Sequence, residues 1–439
     1  MSRRVSSLAA LVLLAAAPAA ANPVDLHGYG GRAPGMAGAQ TAAAEGSSAN
    51  YYNPAALALA AGVRLDLGYQ VALPRLTIAG GDQEVTAVRG LTLGAVIPLA
   101  LRGRTIATFG AGLWLPDQQL VHNRTLPAGQ PRWVLHDNRA QRFFFASHVA
   151  VTPLPGLHVG AGIGVGAETG GSWILTGRLG YPDSFDSDLR LDVDVDVTPI
   201  VYPQAGLLWE ANRWLRVGVA YRGQFVVEAL EIIRFEADIG PAGEEPIVDQ
   251  ALLALEAVAL DVFQPEQIAV GAAIQATPRL LLTGDVTYNR WSEFANPTPV
   301  IELDYDVGVF NDFVMISDAT DFEDPNFHDT LSLRAGAELA MSPRWRLRGG
   351  YGWDPSPAPE QIGESNFVDG DRHTLAAGAG LRAGPWGGLL TGPVEVDAYL
   401  ALTVLPERRH RKLSAIDPIG DYAARGRVLA LGLSTAWPF

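Results

Sequence analysis

Cysteine is missing from all 439 residues. That excludes disulfides, thiolate nucleophiles, cysteine-held zinc and iron–sulfur clusters. Lysine is nearly missing too: Lys412 stands alone and every other basic residue is arginine. Charge is scarce, at 18% of residues, where soluble domains run to about 25%. The net balance of −15 removes the basic surface that a nucleic-acid partner needs. Beyond the first 21 residues no apolar run reaches the roughly 18 needed for a membrane-spanning helix. What the chain does have is 48% hydrophobic residues, 48 glycines and 30 prolines. Two classes remain: a large soluble all-β protein, or a β-barrel that spans a membrane.

Ser2-Arg3-Arg4, a short apolar stretch from Val5 to Ala17 and the small residues Ala19-Ala20-Ala21 have the layout of a cleaved secretory signal peptide over 1–21. Arg3-Arg4 also resembles a twin-arginine signal, a route for folded proteins that a barrel would not use. Downstream, about fourteen segments alternate apolar and polar residues with period two. In segment 63–73, Val63, Leu65, Leu67, Tyr69 and Val71 share one face, against Arg64, Asp66, Gly68 and Gln70. The final segment, 428–439, places Leu429, Leu431, Leu433 and Trp437 together.

The connections are sorted. Tight turns at 102–104, 153–155, 211–212, 277–279 and 342–344 alternate with long stretches at 117–140, 169–187, 235–262, 295–325, 355–370 and 406–423. Short turns on one rim and long loops on the other are the layout of an outer-membrane barrel. A closed barrel pairs every backbone N–H and C=O between strands, so no polar edge meets lipid. The expected fold is therefore all-β, with 63–439 forming the barrel.

The stretch before the first strand reads differently. It runs Gly28-Tyr29-Gly30-Gly31-Arg32-Ala33-Pro34-Gly35-Met36-Ala37-Gly38-Ala39, then Ala49-Asn50-Tyr51-Tyr52-Asn53-Pro54-Ala55-Ala56-Leu57. This resembles the start of the FadL/TodX family of outer-membrane transporters for hydrophobic compounds. Trp291-Ser292-Glu293-Phe294, the strand end Gly350-Tyr351-Gly352-Trp353-Asp354-Pro355-Ser356-Pro357 and the entry Asp369-Gly370-Asp371-Arg372-His373 are similar to further family elements. They stand in the family's order, with Val368 where proline is usual.

The resemblance implies a 14-stranded antiparallel transmembrane β-barrel plugged by an N-terminal hatch over 22–62. Gly35, Gly38, Asn53, Pro54 and Ala55 are its hatch residues. It implies passive uptake of long-chain fatty acids or other hydrophobic compounds, with lateral exit where the third strand kinks. Phe109, Gly110 and Gly112 could form that kink, or the glycines could merely fit a crowded wall. It implies an outer-membrane, Gram-negative setting beside lipopolysaccharide, a monomer, and engagement of the barrel-assembly machinery through Phe439.

With the apolar face outward, Arg334, Arg346, Arg348 and Arg372 point inward, as do Glu338, Glu395, Asp397, Asp192, Asp194 and Asp196. The arginines could hold a carboxylate head group, or the charges could pair with one another. Helical spacing across 251–260 reads as a helix in an outer loop, either a greasy landing groove or ordinary loop packing. Asp192-x-Asp194-x-Asp196 lacks the glycine and terminal glutamate of a calcium loop, so no metal or other cofactor is expected. Gly160-x-Gly162-x-Gly164-x-Gly166 lies in a strand and lacks a phosphate-binding fingerprint. No catalytic motif stands out, and an enzyme is not expected. The reading from another class is a structural or adhesive barrel whose loops bind a partner.

Overall fold

The computed structural model describes residues 27–101, 104–118, 129–137, 143–181, 187–241, 243–298, 300–306, 308, 324–384 and 390–439. The segment read as a signal peptide lies outside the described residues. Alternation produces long strands. They are β1 (Arg64–Ile78), the two-residue β2 (Gly81–Asp82), β3 (Val88–Leu101), β4 (Arg104–Pro116), β5 (Phe144–Leu154), β6 (Leu157–Gly180), β7 (Asp188–Asn212), β8 (Leu215–Arg222) and β9 (Phe225–Gly240). There follow β10 (Val248–Gln264), β11 (Gln267–Thr277), β12 (Leu280–Asn289), β13 (Val300–Asp306), β14 (Thr330–Ala340), β15 (Trp345–Asp354), β16 (Arg372–Ala383), β17 (Val394–His410) and β18 (Tyr422–Pro438).

Fourteen of them close a ring in which every neighbour is antiparallel. From β1 it passes through β3, β4, β5, β6, β7 and β8 to β11. It then runs through β12, β14, β15, β16, β17 and β18 back to β1. Closure leaves no unpaired edge in the wall. The sidedness is inverted relative to a soluble protein. Leu65 (46% exposed), Leu400 (52%) and Leu433 (54%) face outward, while Gln70, Asp285, Arg348 and Asp397 on the opposite face are buried. Such an apolar exterior around a polar interior is stable only with lipid outside.

Two sequence expectations change above the wall. Stretches 169–187 and 235–262 are not loops. β6 continues to Gly180, β7 begins at Asp188, and β9 and β10 pair as a hairpin. Segment 251–260 is thus strand rather than helix. Its apolar residues fit either period, and the alternating Ile233 and Phe235 of the facing strand select period two. Asp192, Asp194 and Asp196 stand on this exposed upper hairpin and not in the lumen. The upper half of β6 leaves β5 and instead pairs with β9, in parallel, and β13 adds to β10. The result is an outer sheet in the order β7, β6, β9, β10, β13.

Candidate functional site

The hatch is small because its residues are small, and it touches the inward face of the wall almost all the way round. Its short turns, Pro34–Met36, Gly46–Ser48 and Pro54–Leu59, leave backbone exposed, so the wall must come close. Glycines on the inward face allow that. A Cβ at Gly350 would lie 2.3 Å from the Met36 carbonyl carbon, at Gly218 2.2 Å from the Thr41 carbonyl oxygen, and at Gly160 2.4 Å from Pro54. The glycine alternation at 160–166 is therefore partly a docking surface. Within the hatch, Gly38 has φ +78°, and Gly35 lies against Gly378.

Polar side chains then hold the hatch in place. Asn53 Nδ2 donates to the carbonyls of Thr41 (2.7 Å) and Leu207 (3.1 Å), and its Oδ1 accepts from Ala55 N–H (3.0 Å). Pro54 and Ala55 follow inside a 3₁₀ turn with buried side chains. Thr41 donates from both its backbone N–H and its hydroxyl to Asp285, each at 2.9 Å. Arg32 Nε donates to Glu338 (2.9 Å), and its NH1 to Gln40 (3.0 Å) and the Ala43 carbonyl (2.8 Å). Arg222 reaches the Tyr51 carbonyl and lies 5.0 Å over the Tyr51 ring.

An aromatic chain crosses the hatch to the wall. Tyr52 packs edge-on against Tyr51 at 4.9 Å, and Tyr51 stacks on Tyr29 at 5.7 Å. The Tyr29 hydroxyl ends inside the seam between β3 and β4. It accepts from Leu113 N–H (3.1 Å) and donates to the Leu93 carbonyl, and these two residues face each other across the seam. Gly94 and Gly112 beside it leave room for the ring. Burial pushes the Tyr29 phenol far above its usual pKa and that of Tyr52 up to about 12, so both stay neutral, Tyr29 donating to Leu93 while the Tyr52 hydroxyl accepts from Tyr29 N–H (3.2 Å).

On the lipid side of the same seam lies an apolar groove of about 400 Å³. Leu67, Leu93, Ala95, Ala111, Leu113 and Phe439 are among its lining residues. Phe109, Gly110 and Gly112 form no kink: each pairs with β3 on one side and β5 on the other, and the register shift of β3–β4 lies at Leu99/Ala100. The glycines serve the hatch instead, since a Cβ at Gly110 would meet Leu57 at 2.6 Å and Asn50 at 2.7 Å.

Above the hatch is a cavity of about 130 Å³. Arg334, Asp354, Arg372, Thr374 and Thr403 supply its polar wall; Tyr51, Val88, Leu135, Ala401 and Val428 supply apolar surface. Arg334 is paired with Asp354 (2.9 Å) and Arg372 with Asp369 (3.8 Å). Arg346 and Arg348 sit lower, beside the hatch: Glu338 is 3.8 Å from Arg346 and 2.7 Å from Arg348, and Arg348 also meets Asp397 at 2.5 Å. So the four arginines divide into a cavity pair and a hatch pair, and carboxylates meet all of them.

Outer segments pack together above the cavity wall. Arg132 N–H donates to the Asn366 carbonyl (3.1 Å) and Val368 N–H to the Arg132 carbonyl (2.8 Å). Trp291, Phe294, Phe327 and Phe367 form a buried aromatic cluster beside them. Lys412 Nζ donates to Asn366 Oδ1 (2.8 Å), which also accepts from the Tyr422 hydroxyl (2.7 Å). Tyr29, Arg32 and Asp285 also fasten the hatch to the wall, a role their sequence positions do not announce. The alternation of β12 does turn Asp285 inward, but nothing local in the hatch marks Tyr29 or Arg32 as wall contacts.

Comparison with known proteins agrees with this architecture. Residues 187–389 match the model of the outer membrane protein transport protein family (OMPP1/FadL/TodX). A putative outer membrane protein of Neisseria meningitidis serogroup B is 27% identical over 180 residues, a segment spanning 40% of this chain and only 37% of that protein. The crystal structure of a Pseudomonas aeruginosa FadL homologue superposes with a TM-score of 0.61 at 16% identity, covering 96% of this chain and all of the other. The P. putida toluene transporter TodX gives 0.57 at 13% identity, covering 94% and 99%. A closed ring of fourteen strands with a lumen filled by an N-terminal hatch is the fold these solved structures share, and the OMPP1/FadL/TodX family model matches the chain over residues 187–389.

Proposed function

We propose that the protein is a passive channel by which hydrophobic small molecules, long-chain fatty acids among them, enter through the outer membrane. The observation that carries this is the Tyr52–Tyr51–Tyr29 chain. It begins at the cavity above the hatch and ends in a β-strand seam whose other side is a lipid-facing apolar groove. An apolar molecule loses about 0.8 kcal/mol per CH₂ on entering water. Release through the seam into the membrane spares it that cost, whereas release downward past the hatch does not. Diffusion down a gradient suffices to drive the flow. In this reading the seam between β3 and β4 parts locally, in place of a permanent kink at Phe109–Gly112. The molecule works among lipopolysaccharide, and Phe439 is the terminal mark read by the barrel-assembly machinery.

Ala95 and Ala111 face each other across the seam on the lipid side. The doubly substituted Ala95→Cys/Ala111→Cys chain, which carries no other thiol, locks the seam when oxidised. Uptake of a radiolabelled hydrocarbon by cells expressing it should stop on oxidation and return on reduction. Unchanged uptake by a fully oxidised, folded barrel rejects the lateral route. Absence of any uptake above that of cells lacking the wild-type chain rejects transport, and loss of cell contact in those same cells would favour the adhesive reading.

A further inference from the structure

The lipid-facing rows of β1 and β18 end together. On β1 the outward side chains run Leu65, Leu67, Tyr69, Val71 and Leu73; on β18 they run Trp437, Thr435, Leu433, Leu431 and Leu429. They pair in register, from Leu65 opposite Trp437 to Leu73 opposite Leu429. Each run, 65–73 or 429–437, matches the roughly 9–11 residues that cross the hydrocarbon. The next outward pair is Arg75 opposite Arg427, and Arg425 follows opposite Thr77. All three arginines are exposed. They stand at the rim where the long connection between β17 and β18 begins, which is the outer one. Their level is therefore that of the outer-leaflet head groups.

Two arginines directly opposite on neighbouring strands repel each other, and no carboxylate relieves this pair. Glu407 is committed to Arg409 (3.2 Å) and Arg425 (3.9 Å), and Asp117 to Arg89 (3.0 Å). Asp82, opposite Thr77 on β2, accepts from the Glu84 N–H (3.0 Å). Among the described residues no carboxylate, that of Glu84 included, forms an ion pair with Arg75 or Arg427. We infer that Arg75 and Arg427, with Arg425 above them, bind a phosphate group of an outer-leaflet lipid whose acyl chains lie on the leucines below. Three observations select that occupant. The first is depth: the pair follows directly on Leu73 and Leu429, which are exposed, so one molecule can present acyl chain and anion to both levels. A free phosphate would use only the arginines, and a neutral lipid only the leucines. The second is chemistry: a guanidinium fork binds phosphate oxygens bidentately, and opposite positions lie about 5 Å apart at Cβ, close enough for two forks to share one phosphate. The third is charge: the chain carries −15 overall and so repels anions at large, against which two adjoining cations without carboxylates form a local attractor. None of this depends on what the lumen carries.

Full-length barrels in detergent, scored as folded by heat-dependent migration, are titrated with lipid A and with lipid A stripped of its phosphates. Bound lipid is counted by native mass spectrometry. The native chain should hold the phosphorylated form and release it as salt rises. Losing one charge-assisted contact costs about tenfold in affinity. Arg427→Gln should therefore bind about tenfold more weakly, and Arg75→Gln/Arg427→Gln roughly a hundredfold. Arg190→Gln, which removes an exposed arginine already paired with Asp192 at 2.9 Å, should bind as the native chain does. If the double variant does not fold, Arg427→Gln alone decides. Equal binding of the stripped lipid overturns the inference in favour of acyl chains. Undiminished binding by the variants overturns the arginines as the site. Displacement of the lipid by an equal concentration of inorganic phosphate makes this a free-phosphate site and overturns the lipid.

Discussion

Replacing Tyr29 with phenylalanine removes one oxygen atom and keeps the ring stack. In the native chain that oxygen accepts from Leu113 N–H and donates to the Leu93 carbonyl, bridging β3 and β4. Two intramolecular hydrogen bonds of about 1 kcal/mol each put the loss near 2 kcal/mol. That magnitude raises the population of the opened seam roughly 30-fold. Amide exchange reads such local openings directly. In detergent-solubilised barrels, the peptide containing Leu113 should exchange about 30-fold faster in Tyr29→Phe, while peptides from β16–β17, remote from the hydroxyl, stay unchanged. If the seam is the exit, hydrocarbon uptake rises with it. An unaltered Leu113 exchange rate refutes the bridge as a clasp, and faster exchange with unaltered uptake refutes the seam as the limiting step.

Arg32→Ala removes the bonds to Glu338, Gln40 and the Ala43 carbonyl. Glu338 keeps Arg348 at 2.7 Å, so the cost belongs at the lower end for a broken buried pair, about 3 kcal/mol. The Ala44 amide, bonded to the Gln40 carbonyl, should exchange about a hundredfold faster. Lys412→Met removes the ammonium that Asn366 Oδ1 and the Gly363 carbonyl accept from. Limited proteolysis of whole cells should then cut within 355–370, where the native chain resists.

The ring of strands was legible because lipid enforces it. An outward Leu65 or Leu431 and an inward Asp285 or Arg348 are each required by the medium they face, so alternation carries the sidedness in full. Inward placement of Arg334, Arg346 and Arg348 followed from the same rule. The outer sheet was less legible, because outside the membrane nothing forces a strand to pair with its sequence neighbour. That β6 leaves β5 for β9 is a long-range choice. The hatch contacts were the least legible. Gly110 could be read either as a kink or as a fit to a crowded wall, because a glycine in a strand is compatible with bulge or close approach. Only the position of Leu57 and Asn50 against it decides for close approach. Tyr29 shows the same limit: its bond crosses from residue 29 to residues 93 and 113, and no local pattern encodes that.

The charges around the cavity constrain what it can carry. Arg334 and Arg372 face Asp354 and Asp369, so the two cations are already balanced by two anions. A carboxylate arriving there must either displace an aspartate from an arginine or remain an extra negative charge beside two aspartates, and both cost free energy. An uncharged hydrocarbon, or a fatty acid carrying its proton, meets neither cost. If ligand binds here, these pairs predict a preference for neutral molecules. Arg372→Ala tests this against the alternative of a head-group arginine. It leaves Asp369 with less positive charge nearby, so uptake of an ionised fatty acid should fall only modestly and that of a neutral aromatic hydrocarbon should hold, as measured in parallel on the same cells. Abolished uptake of the fatty acid with intact uptake of the hydrocarbon would instead make Arg372 the carboxylate's partner. The balance of charges would then have to be broken by Asp369 turning away when ligand arrives.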